Sequence, residues 1–106
     1  MTPTIQLKSS HLYFPQEIVT EIFGEIIYAY VTYVEDQKRI LVTPVSSVWF
    51  TKMYEPKQFM LKARNLKGDR TVAIHELLID NDLDAADRDL EYEMVQRTNL
   101  IKIKVA

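Results

Sequence analysis

Lys62, Arg64, Lys67 and Arg70 crowd into one short segment in which Asp69 is the single acid. Cations at that density neutralise phosphates and release the counterions condensed on a polyanion, which supplies most sequence-independent affinity for DNA. The plainer reading is a charged hairpin facing water. A net charge of −2 favours the plainer reading, because most nucleic-acid binders are basic.

Asp80, Asp82, Asp84 and Glu91 have the spacing of ligands 1, 3, 5 and 12 in a calcium-binding loop. Oxygen donors so spaced can wrap a hard cation. Against this, Ala85 stands where the loop needs glycine for its sharp turn, Asp87 where an apolar residue is usual, and Arg88 at the ninth position. A solvated loop between a helix and a hairpin is the simpler account. His11 and His75 complete the titratable candidates. His75-Glu76 has no second histidine at helical spacing, so it does not make a zinc protease motif. No nucleophile, base and orienting group come together in the sequence, so no enzyme is expected.

The aromatic residues Tyr28, Tyr30 and Tyr33, with Trp49, Phe50 and Tyr54, are suited to stacking on bases or lining a partner groove. Aromatic residues in strands more often form core and cross-strand pairs. Tyr28 and Tyr30 share one strand face and Tyr33 takes the other.

These residues must be held by a small framework. A chain of 106 residues predicts a single domain over 1–106, and 47% hydrophobic with 26% charged residues is ordinary for a globular protein. The absence of cysteine excludes disulfides, thiolate metal sites and a cysteine nucleophile. The first residues lack the pattern of a signal peptide, no apolar run is long enough to span a membrane, and a cytoplasmic address is expected. Charge is distributed unevenly. Residues 52–70 carry six bases and two acids, whereas residues 76–93 carry eight acids and one base. Such bands suit a polyanion site, a self-complementary surface or two solvated faces.

The pattern of residues 67–79 occurs twice. Sixty positions earlier the apolar slots are the same: Leu12 with Val72, Phe14 with Ile74, Ile18 with Leu78. The match runs without a gap through Ile40 with Leu100, Leu41 with Ile101 and Val45 with Val105. Residue identity is almost nil. A unit this small cannot bury its apolar face alone, so a pseudo-symmetric pair is expected.

Each unit reads β-α-β-β. In the first, strands at 5–8 and 12–14 precede a helix that Pro15 opens and Gly24 stops. Strands at 28–34 and 39–45 follow, separated by the polar break 35–38. Residues 46–57 connect the units, and Val48, Trp49, Phe50, Met53 and Tyr54 predict a short packed helix or turn there. The second unit has a strand at 59–64, a turn at 65–68, a strand at 71–74, a helix at 75–79 shorter than its counterpart, an acidic loop at 80–89 and strands at 90–95 and 100–105. In the last strand Ile101, Ile103 and Val105 alternate with Lys102 and Lys104, predicting one buried face. The fold class is α+β: two β-α-β-β repeats, about 4–45 and 58–106, around a mostly antiparallel core or barrel with flanking short helices.

Two such units in one chain resemble the swapped-hairpin transcription factors of the AbrB and MraZ type. The resemblance rests on Lys67-Gly68-Asp69-Arg70-Thr71-Val72-Ala73-Ile74-His75-Glu76-Leu77-Leu78 and, more faintly, on Leu12-Tyr13-Phe14-Pro15-Gln16-Glu17-Ile18. Family members carry a Lys-Gly-Arg-like turn, a strand, a proline and a helix. Here Asp69 separates the glycine from the arginine, His75 stands where the proline falls, and the first copy reads Leu7-Lys8-Ser9-Ser10-His11. The resemblance implies a small DNA-binding regulator, with Lys62, Arg64, Lys67 and Arg70 on phosphates and groove edges and no cofactor. The alternative is a homo-oligomeric assembly module on the same scaffold, in which the basic band of one copy meets the acidic loop of another. The expected partners are double-stranded DNA and further copies of the chain, with no membrane and no small-molecule substrate.

Overall fold

Strand alternation builds the architecture. The computed structural model describes residues 3–105. Strand β1 (Thr4–Lys8) buries Ile5 and Leu7 and exposes Thr4, Gln6 and Lys8, while β2 (His11–Phe14) buries Leu12 and Phe14. This is the two-residue period of a sheet with one wet face. Ser9 and Ser10 join the two strands, both at positive φ (50° and 62°), the geometry of a tight hairpin whose twist matches its strands.

Pro15 then holds the backbone extended, and the chain enters helix α1 (Gln16–Ile18). The helix continues through Val19–Phe23 as one wider turn, where Gly24 N–H reaches the Val19 carbonyl at 2.8 Å. Gly24 ends it at φ 58°. Next come β3 (Tyr28–Val34), β4 (Arg39–Pro44), helix α2 (Val48–Met53), β5 (Lys57–Met60), β6 (Lys62–Ala63), β7 (Arg70–Ala73), helix α3 (His75–Asp80), β8 (Arg88–Val95) and β9 (Leu100–Lys104).

The strands form one sheet in the order β5-β3-β4-β9-β8-β1-β2-β7-β6, and every neighbouring pair is antiparallel. Its two outer members, β5 and β6, are consecutive in the chain with only Leu61 between them. β5 pairs with β3 and β6 with β7, so the sheet nearly closes into a barrel. Leu61 is fully buried at this handover, and its N–H donates to the Ile27 carbonyl at 2.7 Å. The β1–β2 hairpin lies between two strands from the other half of the chain, with Ile5 opposite Leu90 and Leu12 opposite Val72.

The barrel interior holds Leu7, Leu12, Phe14, Val31, Ile40, Val42, Val72, Ile101 and Ile103 among its buried residues. The first helix adds Ile18, Val19, Ile22 and Phe23, and α3 adds Leu77 and Leu78. The Phe14 and Phe23 rings meet edge to face, centroids 5.8 Å apart. A second cluster lies on the outer face. There α2 lays Phe50 over Leu41 of β4 and Leu100 of β9, ringed by Tyr30, Val34, Trp49, Tyr54 and Val95. The connector is therefore a packed helix bridging both halves of the chain. No helix of the described residues is long and apolar enough to cross a membrane.

Three sequence expectations change. The strand expected over 59–64 breaks at Leu61, because its two parts bond to different partners. The last strand pair begins at Arg88 rather than at 90, since β1 pairs with residues 88–91. The sixty-residue match is also not free of gaps. Ile40 and Ile101 face the interior, whereas Leu41 and Leu100 belong to the outer cluster. Pairing Ile40 with Leu100 thus sets an inner residue against an outer one. The tight turns of the two later hairpins, where Lys38 and Asn99 both adopt the left-handed conformation, are likewise one position further apart than sixty.

Candidate nucleic-acid interface

The basic segment is a hairpin arm. β6 and β7 pair Lys62 with Thr71 and Ala63 with Arg70, and residues 64–69 form the loop between them. Lys62, Arg64 and Lys67 are exposed. No hydrogen bond or ion pair occupies their charged ends among the described residues. The Arg64 guanidinium lies over the Tyr13 ring, 4.3 Å from its centroid, so a cation–π contact orients its donors without consuming them. Arg70 is placed differently. It shares the strand phase of buried Val72, is half-buried, and its Nη1 donates to the Leu61 carbonyl at 3.1 Å. The structure brings Lys62, Arg64 and Lys67 together on one arm and commits Arg70 to the closure of the barrel.

Asp69 is the residue whose role the sequence conceals. Its Oδ1 accepts the Gln16 N–H at 2.8 Å and its Oδ2 accepts Asn65 Nδ2 at 3.0 Å. Pro15, at the N-cap position of the first helix, has no side chain able to cap it. The carboxylate comes instead from the loop. The Asn65 side-chain donor and the Gln16 N–H hold the Asp69 carboxyl below its usual range, with Lys67 and Arg64 adding a smaller pull against partial desolvation. Asn65 Oδ1 accepts the Lys67 N–H at 2.9 Å, and the Asp69 carbonyl accepts the Arg64 N–H at 2.9 Å. Gly68 (φ 101°) presses against Gln16, whose Cγ would lie 2.9 Å from any added Cβ. The loop is therefore stiff. The signals for this in the sequence were the missing cap at Pro15 and the Asn65–Asp69 spacing.

Below the arm runs an open groove of about 420 Å³ lined by Gln6, Tyr13, Pro15, Arg64, Asp69 and Asp89 among others. With two acids to one base, the groove does not suit a polyanion, and the cations lie on its rim and beyond.

The acidic residues do not gather into one patch. Asp80 ends α3 and pairs with Lys57 at 3.6 Å, both well exposed. Asp82 takes the left-handed conformation, and Asp84 Oδ1 accepts the Ala86 N–H at 2.9 Å. Asp87 Oδ1 accepts the Ser9 N–H at 2.8 Å, holding the β1–β2 turn. Glu91 lies within β8, opposite Thr4. Among the described residues no group of three or more side chains is arranged to hold a metal ion, so Asp80, Asp82, Asp84 and Glu91 are not brought together. Glu91 and Glu93 share a shallow outer depression with Arg39, Lys102 and Lys104, a mixed face rather than an acidic one.

His11 is half-buried, with Nδ1 2.8 Å from the Ser9 carbonyl, and His75 opens α3 in the solvent. The tyrosines divide as strand alternation requires: Tyr33 packs on the interior cluster, Tyr30 on the outer one, and Tyr28 is exposed.

Comparison with known proteins returns no match to a family model, to a curated protein or to a solved structure.

Proposed function

We propose that the chain is a small, non-enzymatic DNA-binding regulator of the swapped-hairpin AbrB/MraZ-like type, contacting duplex phosphates through Lys62, Arg64 and Lys67. The observation that carries this reading is the arm itself. It presents three exposed cations whose charged ends make no hydrogen bond or ion pair among the described residues, and its one acid turns back onto the N-terminus of the first helix. The seating of the β1–β2 hairpin between β8 and β7 supports the reading. A hairpin from one half lodged between strands of the other is the arrangement that the family name describes.

The test is retention on mixed-sequence duplex DNA across a salt gradient. Binding should weaken linearly on a log–log plot, and each of Lys62→Ala, Arg64→Ala and Lys67→Ala should lower the slope by about one unit. Binding that ignores salt, or no binding, sinks the proposal. Arg70→Ala is a poor probe, because it also removes a bond that helps close the barrel.

A second reading, homo-oligomeric assembly without DNA, draws on exposed Ile27, Tyr28 and Met60, the last two directly paired between β3 and β5. It predicts a solution mass above 12.4 kDa that falls to the monomer in Tyr28→Ser/Met60→Ser. The original basis for this reading, pairing of basic and acidic bands, is weakened because Lys57 and Asp80 already meet within one chain.

A further inference from the structure

Leu66 stands in the 64–69 loop with a relative exposure of 106%, the highest among the exposed large apolar side chains. A lone exposed leucine is ordinary on a protein surface, and what sets Leu66 apart is its place in a braced loop that also carries exposed cations. Its neighbours are Lys62, Arg64 and Lys67, all exposed. Its backbone is fixed: the Asn65 side chain spans it by accepting the Lys67 N–H, and Gly68 and Asp69 seat the loop on Gln16.

We propose that Leu66 is a wedge that enters between two stacked base pairs from the minor groove, while Lys62, Arg64 and Lys67 grip the flanking phosphates, so that the chain bends the duplex it binds. This rests on the DNA-binding reading above and specifies how the same arm would engage its target. Apolar side chains used in this way unstack a base step and kink DNA towards the major groove. One side chain is enough for a step, and one is what the arm offers. The stiff loop meets the geometric demand, since a wedge that must first be ordered loses much of what its insertion gains. A bilayer surface fits less well, because a single leucine buries little apolar area and stable anchoring takes more than one such signal.

The experiment uses a duplex of roughly 30 base pairs with donor and acceptor fluorophores at its ends, a length over which a kink shortens the end-to-end distance. Wild-type protein at saturation should raise energy transfer to the level of a bend of roughly 20–90°. Leu66→Ala should bind with an unchanged salt slope and leave the duplex straight. Arg64→Ala should weaken binding yet still bend the fraction bound. A straight duplex under bound wild-type protein, or equal bending by Leu66→Ala, overturns the wedge and leaves phosphate binding standing. No duplex binding by wild type overturns both. Retention instead on phosphatidylserine/phosphatidylcholine vesicles, lost in Leu66→Ala, would reassign the loop to a membrane surface.

Discussion

The Asp69 carboxylate caps the backbone N–H of Gln16 from 53 positions away, at 2.8 Å. A loop in one half of the chain thereby completes a helix in the other. The bond also fixes the basic arm, since Arg64, Asn65 and Lys67 all lean on the same turn.

Asp69→Asn should therefore loosen the arm without unfolding the barrel. Because the folded carboxyl titrates below its ordinary value of 3.8, its contribution is complete above that pH. It disappears as the pH falls from there through the lower folded value. The Gln16 amide resonance should shift in that acidic window in the wild type and stay flat in Asp69→Asn. A wild-type Gln16 signal indifferent to pH would refute the cap.

Gly68→Ala tests the seat of the loop. The residue has φ 101°, and the new Cβ would lie 2.9 Å from Gln16 Cγ. We expect a loss of about 1–2 kcal/mol from the backbone alone, because side-chain-bearing residues avoid this region. Urea unfolding measures it. A neutral or stabilising result would mean that the turn relaxes freely.

Tyr92 gives the opposite pH sign. Burial raises its phenol pKa above 10.0, helped by Glu21 and then Glu17. Its contribution is complete below the ordinary value and lost as the pH climbs through the higher folded one. Between about pH 9 and pH 11, spanning tyrosine ionisation, the wild type should lose more unfolding free energy than Tyr92→Phe. Parallel losses would contradict the assignment.

Phe50→Ala should strip α2 from the outer face. Phe50 is fully buried in a cluster with only Leu41 and Leu100 as other buried members, and its ring meets Trp49 edge to face and Tyr54 at a tilt, with centroids 5.4 and 4.9 Å away. A cost of about 3–5 kcal/mol follows from truncating a buried phenylalanine. The urea midpoint should fall with little change in slope if the barrel stays two-state. Little change in midpoint would mean that α2 is not held by this residue.

The strands were legible because alternation is a local signal. Ile101 and Ile103 are buried between Lys102 and Lys104 as their order demands. The first helix was legible from Pro15 and Gly24 for the same reason. Leu61 was not, because a strand that changes partner midway differs from an ordinary one only in distant residues. Arg70 looked like a phosphate ligand by type alone. Its even spacing from Val72, however, gave it the inward phase that ties it to Leu61. The acidic loop matched a calcium pattern in spacing, but Glu91 was already engaged as part of a strand.

The lodging of β1–β2 between β7 and β8 also sets an order of events during synthesis. The hairpin leaves the ribosome early but has no outer neighbours until the second half of the chain has followed. β4 likewise waits for β9. Neither half can finish alone, so the nascent chain carries bare strand edges through most of translation. On a crowded polysome the nearest substitute for a missing neighbour is the same hairpin of an adjacent copy. Insertion in trans is then the natural competitor of correct closure, and folding yield should fall as expression rises.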